Sequence, residues 1–401
     1  MSEAFEQIKE KEKKLLCRTY SRYPLAIVRG EGSRLWDIDG REYIDLLAGI
    51  AVVGLGHCNP ELRAVLDAQA RKLWHVSNLF YQEEQLRLAE LLLSTSHHGK
   101  AFFCNSGAEA NEACIKLARR YMRKIKGRDA YEIITLKDAF HGRTLGTLAA
   151  TGRESLADGF EPLPLGFLQA PPNDLAALEA KISSKTAAVM LECIQGESGV
   201  TPLPIDYLKG VEALCREKGV LLICDEVQCG LCRTGKFWAY QHAGIRPDAI
   251  SLAKSLANGL PMGAMLATDE MARGFDAGSH ATTFGGSALA SAVAAKAIEI
   301  MLRDGVAAQA AEKGAALKLE LLAIQKEFPD RIREVRGEGL MLGIQFRDSA
   351  RPAWEKLLEA GFICGLSHEH TLRLLPPLTI AQEDLSKFAV ALREIVCGLG
   401  A

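Results

Sequence analysis

The sequence predicts an α/β protein with a mostly parallel central sheet in a large domain and a smaller α+β domain. Between about residues 100 and 270, short apolar runs alternate with segments of helical periodicity, a pattern typical of a parallel sheet covered by helices on both faces. Beyond Leu289 helical patterns dominate, interrupted by a few short strands. We expect residues 59–295 to form the large domain, and the N-terminal segment 1–58 to join residues 296–401 in the small one.

Composition and charge are those of an ordinary globular protein. The chain has 401 residues, of which 48% are hydrophobic and 24% charged, and its net charge of −2 gives no reason to expect a nucleic-acid partner. The polar, acidic start predicts no signal peptide, and no apolar stretch approaches the length of a membrane span. The 11 cysteines have no regular spacing, and several lie in apolar runs, which predicts reduced thiols in a cytoplasmic protein.

The elements before residue 105 follow from local patterns. Residues 1–19 are charged and predict a helical arm, and alternation around the Asp39-Gly40 turn predicts an antiparallel hairpin. Residues 62–73 and 85–93 have helical periodicity. A strand at 101–104 then closes on a turn before a helix, and free backbone N–H groups at such a turn make an anion site.

Two later strands end in an acid and a lysine. The apolar run 220–224 ends at Asp225, and the run 249–253 ends at Lys254. Ligands of open α/β sheets bind beyond the carboxyl ends of the strands, so the two side chains could face one pocket. A pyridoxal phosphate enzyme needs a lysine that forms a Schiff base and an acid beside the ring nitrogen. Either residue alone is ordinary, and the pair becomes informative only with a phosphate site and a carboxylate clamp.

Both of these further sites have candidates. The strand-to-helix turn around Gly107 could bind a phosphate, and Arg143 could hold a carboxylate while the nearby Phe140 stacks on a ring. Taken singly, Arg143 is more simply interpreted as a solvated arginine and Phe140 as a core phenylalanine.

Metal and dinucleotide sites are weaker alternatives. Cys224, Cys229 and Cys232 have a spacing seen in iron–sulfur proteins, but a fourth cysteine is missing and structural thiols are favoured. The glycines at 337, 339 and 343 miss the dinucleotide-binding spacing and precede a strand instead of a helix. Histidine pairs at 97–98 and 368–370 have no further ligands at a suitable spacing.

The motifs at residues 105–112, 140–143, 195–197, 225–228, 252–255 and 282–286 occur in one order along the chain. Together they resemble the class III pyridoxal-phosphate-dependent aminotransferases, and within them most closely the acetylornithine aminotransferases. The resemblance extends from Tyr20 to Leu378 and implies the type I fold of pyridoxal-phosphate-dependent transferases, with pyridoxal 5′-phosphate as the cofactor.

The resemblance also implies roles for the cofactor-binding residues. Lys254 holds the cofactor covalently and, once released, moves the proton, while Asp225 pairs with the ring nitrogen. The remaining residues of this set contact the ring or the phosphate: Gly107, Ala108, Phe140, Glu226, Val227, Gln228 and Thr283. Thr283 reaches the phosphate of a neighbouring subunit, which implies a homodimer. Ala108 stands where many relatives have threonine, so one hydroxyl contact to the phosphate is lost.

Substrate contacts are implied at the far end of the site. Arg143 takes the substrate α-carboxylate, with Thr282 nearby, and Glu197 and Arg373 form a gate that opens for a carboxylate of 2-oxoglutarate. Ile50 stands where ornithine-specific enzymes have tyrosine, which favours an acylated substrate.

The implied function is transfer of the terminal amino group of N2-acetyl-L-ornithine to 2-oxoglutarate in arginine biosynthesis. Succinylornithine, N-succinyl-diaminopimelate, ornithine and 4-aminobutyrate are alternative donors. A non-catalytic relative that keeps only the fold is a second class of protein, and the joint presence of Lys254, Asp225 and Arg143 counts against it.

Overall fold

The computed structural model describes residues 2–399. The helices within this range are α1 (Glu3–Leu15), α2 (Ala48–Ala51), α3 (Pro60–Ala70), α4 (Glu83–Ser94), α5 (Gly107–Lys124), α6 (Leu145–Thr151), α7 (Glu154–Ala157), α8 (Leu175–Glu179), α9 (Ile205–Lys218), α10 (Asp269–Ala272), α11 (Ala288–Arg303), α12 (Val306–Glu327), α13 (Arg351–Glu359) and α14 (Gln382–Gly398). The strands are β1 (Ile27–Glu31), β2 (Arg34–Asp37), β3 (Glu42–Asp45), β4 (Lys100–Cys104), β5 (Glu132–Leu136), β6 (Phe167–Ala170), β7 (Thr186–Leu191), β8 (Ile194–Gln195), β9 (Thr201–Pro202), β10 (Leu221–Asp225), β11 (Ala249–Leu252), β12 (Gly263–Ala267), β13 (Ile332–Glu338), β14 (Met341–Phe346), β15 (Phe362–Ile363), β16 (Gly365–Ser367) and β17 (Thr371–Leu374).

The central sheet has the strand order β4-β12-β11-β10-β7-β5-β6. Strand β12 is antiparallel to both neighbours, β4 and β11, and the other pairs are parallel. Every residue of β7, β10 and β11 is buried, as expected for apolar runs in a sheet covered on both faces. The predicted mostly parallel α/β sheet is therefore confirmed.

Helix α5 begins at the edge of the central sheet where β4 ends. Its buried positions recur every three or four residues, from Ala110 through Cys114 and Leu117 to Tyr121, and so pack one face on the strands. Ser106 caps the helix, because its Oγ accepts a hydrogen bond from the Glu109 N–H at 3.2 Å. The cap fixes the point at which β4 gives way to the helix, and so places the residues of the turn.

Segments from both ends of the chain share one small sheet. Strands β1, β2 and β3 pair antiparallel, with Gly40 in the left-handed region (φ 80°) at the β2–β3 turn, as the hairpin pattern predicts. Strand β15 adds parallel to β3. A second antiparallel sheet, β13-β14-β17-β16, packs against α12. The chain ends are thus built together beside the central sheet.

Some predicted boundaries shift for local reasons. The helix expected at 62–73 begins earlier, at Pro60, because Asn59 accepts hydrogen bonds from the next N–H groups, and it ends at Ala70. The strand expected to run to Ala253 ends at Leu252. None of the helices between residues 2 and 399 combines the length and the apolar character needed to cross a membrane.

Candidate active site

A cavity of about 410 Å³ lies beyond the carboxyl ends of β10 and β11 and beside the start of α5. Its wall includes most of the predicted cofactor residues, namely Gly107, Ala108, Phe140, Asp225, Val227, Gln228 and Lys254. Arg143 and Glu197 line it as well. The sheet edge has brought together residues that are up to 147 positions apart in sequence (254 − 107).

Asp225 is the last residue of β10 and is only 3% exposed. Its Oδ1 accepts a hydrogen bond from the Val227 N–H at 3.0 Å. Its Oδ2 accepts from Asn111 Nδ2 at 2.7 Å and lies 2.8 Å from His141 Nδ1. These contacts fix the orientation of the carboxyl group at the base of the cavity.

Lys254 follows β11 and opens a 3₁₀ turn, Lys254–Ala257. Its φ of 46° is in the left-handed region, and so is that of Asn258, which ends the turn. The Asn258 side chain bonds Leu55 N and Gly56 O, which fastens the turn to the neighbouring segment. Burial lowers the pKa of Lys254 to about 8, against the opposing influence of Glu197 and Asp225. Roughly a fifth of this amine is thus neutral near physiological pH, far more than for an exposed lysine.

The N-terminus of α5 faces the cavity through Gly107 and Ala108. A Cβ at Gly107 would lie 2.7 Å from Val227 Cγ1, so only glycine lets these two segments approach so closely. N–H groups in the first turn of a helix lack intrahelical partners and favour an anion. This end of the cavity can therefore bind a phosphate.

Arg373, which is buried, and Glu197, which is half-buried, form an ion pair at the side of the cavity. Arg373 Nη1 lies 2.5 Å from Glu197 Oε1 and 3.3 Å from Gly196 O, and Gln228 Nε2 donates to the same Glu197 oxygen at 3.2 Å. Burial opposes ionisation of Glu197, but Arg373 and Lys254 outweigh it and lower the pKa of this carboxyl. Glu197 lines the cavity, whereas Arg373 is not part of its wall.

Arg143 is different, because its side chain is exposed at the mouth of the cavity. Its guanidinium carbon lies 5.8 Å from the centroid of the Phe140 ring. Within residues 2–399 no carboxylate pairs with it. The guanidinium can therefore receive a carboxylate from solution.

Besides Arg373, four predicted residues lie outside this cavity. Thr282 and Thr283 line a second surface cavity of about 890 Å³, beside α4 and β4. Glu226 points away, and its carboxylate accepts from the Ala239 and Tyr240 N–H groups at 2.8 Å each. Ile50 is 40% exposed and lies in a left-handed turn, Ala48–Ala51.

Three residues of the site had no role assigned from the sequence. Asn111 and His141 both bond Asp225, and Glu192 accepts hydrogen bonds from Phe140 N and Gly196 N. A signal existed for each of them. Asn111 is four residues after Gly107 and so shares its helix face, His141 adjoins Phe140, and Glu192 directly follows a buried strand.

The cysteines of the iron–sulfur alternative are buried in the core. Cys224, Cys229 and Cys232 are free thiols, and burial raises the pKa of Cys232 to about 12. Across the described range, 2–399, no three His, Cys, Asp or Glu side chains are grouped as metal ligands.

The residues present fit pyridoxal phosphate. The cavity combines a phosphate-binding helix start, a lysine with a lowered pKa and an oriented aspartate. The side chains of Val227 and Phe140 also line it and can cover the two faces of a flat ring. Gln228 Oε1 and His141 Nε2 are buried polar atoms with no protein partner, and Gln228 can bond a ligand within the cavity.

Comparison with known proteins gives the same family. The family model Aminotransferase class-III matches residues 16–396. The acetylornithine aminotransferase of Myxococcus xanthus is 44% identical, with 94% of each chain covered, and that of Methanocaldococcus jannaschii is 45% identical, with 96% of each covered.

Solved structures are similar over the whole fold. Ornithine aminotransferase from Toxoplasma gondii has a TM-score of 0.95 and 31% identity, covering 99% of this chain and 96% of its own. N-Acetylornithine aminotransferase from Stenotrophomonas maltophilia has a TM-score of 0.82 and 36% identity, covering 97% and 98%. Because the family model and these relatives extend over nearly the whole chain, the protein belongs to the class-III aminotransferases, enzymes of the type I fold that use pyridoxal phosphate.

Proposed function

We propose that this enzyme transfers the δ-amino group of N2-acetyl-L-ornithine to 2-oxoglutarate, giving N-acetyl-L-glutamate 5-semialdehyde and L-glutamate. The observation that carries the proposal is the unequal state of two arginines at one cavity. Among residues 2–399, Arg143 is exposed and pairs with no carboxylate, while Arg373 is buried and paired with Glu197. An enzyme that handles two substrates of different charge in turn needs one permanent and one switched cation.

The chemistry of the two substrates matches these arginines. Both carry a carboxylate three or four bonds from the reacting carbon, and Arg143 at the cavity mouth would hold it in either case. Only 2-oxoglutarate has a second carboxylate, attached to the reacting carbon. That carboxylate would require Glu197 to leave Arg373, whereas an amine donor needs the pair closed because its reacting end carries no anion.

Pyridoxal phosphate, when bound, supplies an aldehyde for the amine and a ring that takes up electrons from the reacting carbon. The protein provides the position and the proton transfer. Asp225, held by Asn111 and His141, would keep the ring nitrogen protonated. Gly107 and Ala108 would bind the phosphate, and Phe140, Val227 and Gln228 would contact the ring.

Lys254 would bind the cofactor and later move the proton at the reacting carbon. An amine that accepts a proton must be neutral, and the pKa of about 8 that burial gives Lys254 makes the neutral form accessible. Glu197 and Asp225 oppose this shift, so the amine can also hold a proton for return to the substrate.

An acylated donor is favoured over free ornithine for two reasons. The Myxococcus and Methanocaldococcus relatives are named acetylornithine aminotransferases, while the Toxoplasma structure is named an ornithine aminotransferase and is less identical in sequence. Ile50 also offers no hydrogen bond to a free α-amine. We accordingly place the reaction in arginine biosynthesis.

We infer that the active unit is a homodimer. The segment before α4 presents large apolar side chains to solvent, with Leu79 88% and Phe80 62% exposed, and Phe284 extends this surface. Such a patch favours a protein interface. Thr283 lies on this face and not in the cavity of its own chain, so it would serve the phosphate site of the partner. Sedimentation of the holoenzyme as a dimer is the expected result.

A donor panel tests the function. Purified holoenzyme is assayed for glutamate formation from 2-oxoglutarate with acetylornithine, succinylornithine, N-succinyl-diaminopimelate, ornithine and 4-aminobutyrate. We expect acetylornithine to have the highest kcat/KM. A protein that binds the cofactor but does not turn over acetylornithine would contradict the proposal, and a higher kcat/KM for another amine would identify the alternative.

A further inference from the structure

Glu192 is a buried acid in the cavity wall for which the reaction, as described so far, has no use. It directly follows β7 and is 5% exposed. Its Oε1 accepts a hydrogen bond from the Phe140 N–H at 2.9 Å, and its Oε2 accepts from the Gly196 N–H at 3.2 Å. In the part of the chain that the structure describes, no lysine or arginine forms an ion pair with it.

The two N–H groups belong to two different working parts of the site. Phe140 would lie on the cofactor ring, and Gly196 precedes Glu197, the acid of the gate. The Glu192 carboxylate therefore connects the segment around Phe140 and the gate loop (residues 195–199) to the end of strand β7. A side chain with one acceptor oxygen in place of the carboxylate could keep only one of these two hydrogen bonds.

The gate loop is held by several side chains in the state that the structure shows, with Glu197 and Arg373 paired. In the closed state Arg373 Nη1 contacts both Gly196 O and Glu197 Oε1, so the ion pair itself holds the loop. Ser367 Oγ and His368 Nε2 bond Glu197 O from the C-terminal sheet. When Glu197 leaves Arg373, the hold of the ion pair is lost. The bond from the Gly196 N–H to Glu192 does not depend on the ion pair and would remain.

We propose that Glu192 is a positioning residue that fixes the backbone of the gate loop, so that only the Glu197 side chain moves between the two half-reactions. This inference rests on the proposed function, because it needs a gate that opens for 2-oxoglutarate. The inference predicts that loss of Glu192 slows the half-reaction with 2-oxoglutarate, the acceptor, more than the half-reaction with acetylornithine, the donor. In the donor half-reaction the closed ion pair compensates for the loss of Glu192.

The surroundings of Glu192 support this role. Burial raises the pKa of its carboxyl to about 7, Asp225 adds to the rise, and His141 and the two N–H bonds oppose it. No lysine or arginine between residues 2 and 399 forms an ion pair with Glu192, and the two backbone donors hold its oxygens. Replacing it by an amide leaves one acceptor oxygen and turns an NH₂ group toward one of the two N–H groups.

The test measures each half-reaction of the holoenzyme separately, from the absorbance change of the bound cofactor. We expect Glu192→Gln to lower kcat/KM of the 2-oxoglutarate half-reaction about 10-fold, as an unmet buried donor would, and the acetylornithine half-reaction less than about 3-fold. Glu226→Gln is the matched control. Glu226 is also buried, its pKa is also raised to about 7, and it also accepts from two N–H groups, but outside the cavity.

The ratio of the two half-reactions decides the outcome. Glu226→Gln should change both by the same factor, even if it lowers stability. Equal slowing by Glu192→Gln, or greater slowing of the donor half, would overturn the inference alone. If Glu192→Gln does not give folded holoenzyme, the ratio is measured on Glu192→Asp, whose shorter carboxylate should show the same asymmetry to a smaller extent. A wild-type enzyme that does not accept 2-oxoglutarate would overturn the proposed function and this inference with it.

Discussion

Arg143 and Arg373 serve one cavity but lie in opposite environments. Arg143 is exposed at the mouth, with its guanidinium near the Phe140 ring and no carboxylate partner within residues 2–399. Arg373 is 6% exposed, ends a hydrogen-bond network through Glu197 and Gln228, and is not part of the cavity wall. The first can bind any carboxylate that reaches it, and the second only after an internal anion has moved.

The difference follows from the cost of burying charge. A solvated guanidinium such as that of Arg143 needs no counterion, but an unpaired buried cation is strongly unfavourable. Arg373 therefore has to stay paired with Glu197 whenever the substrate supplies no anion next to Arg373. Under the proposed function, selectivity for two unlike substrates would then come from one movable carboxylate and not from two separate pockets.

Removal of Lys254 should have the largest effect, because both half-reactions depend on it equally. Lys254→Ala takes away the amine that binds the cofactor and moves the proton, and we expect each half-reaction to slow by about 10⁴-fold or more. Single-turnover absorbance measurements with each substrate check this. A variant that retained either half-reaction would show that Lys254 is not the shared catalytic group.

Loss of each arginine should separate their roles. Arg143→Gln removes a charge-assisted carboxylate contact used by both substrates, so both half-reactions should fall by about 100-fold in kcat/KM. Arg373→Gln should lower the 2-oxoglutarate half-reaction by a similar factor and the acetylornithine half much less. The half-reactions are measured at saturating cofactor. Equal losses for Arg373→Gln would mean that the gate does not distinguish the substrates.

Glu197→Gln should produce a smaller effect of the opposite kind. The amide cannot neutralise Arg373, so an unpaired cation would face the uncharged reacting end of the amine donor. We expect the donor half-reaction to slow about 10-fold while the 2-oxoglutarate half is kept or accelerated. A ratio of half-reactions equal to that of the wild type would contradict the switched role of this pair.

Strand order and sequence pattern made much of this site predictable. Parallel strands bring their carboxyl ends to one edge of the sheet, so Asp225 and Lys254 had to lie near each other once the two apolar runs were identified as neighbours. The start of α5 is fixed just as directly, because a strand followed by a capped helix can turn in few ways. The family and the fold follow from these motifs and are confirmed by the comparisons.

Side-chain directions were harder to predict, because packing decides them. Glu226 follows Asp225 directly, yet it turns toward the N–H groups of Ala239 and Tyr240 and caps a 3₁₀ turn. Glu192 and His141 make their contacts across segments that are distant in sequence. No pattern along one segment encodes such contacts. The proposed division of the chain at residues 58 and 295 stays a prediction.

The two arginines should also differ in their electrostatic effect on Lys254. The pKa of Lys254 is lowered to about 8, because burial and Arg373, which lower it, outweigh Glu197 and Asp225, which raise it. Because the neutral amine attacks the aldehyde, capture of pyridoxal phosphate by enzyme stripped of cofactor should rise about tenfold per pH unit below pH 8 and level off above it.

Arg373→Gln should move the midpoint of this pH profile to higher pH and Glu197→Gln to lower pH. Arg143→Gln should leave it unchanged, since Arg143 is not among the groups that shift Lys254. Stopped-flow capture rates measured from pH 6 to 10 give the four midpoints, and a common midpoint would mean that Lys254 does not sense the gate.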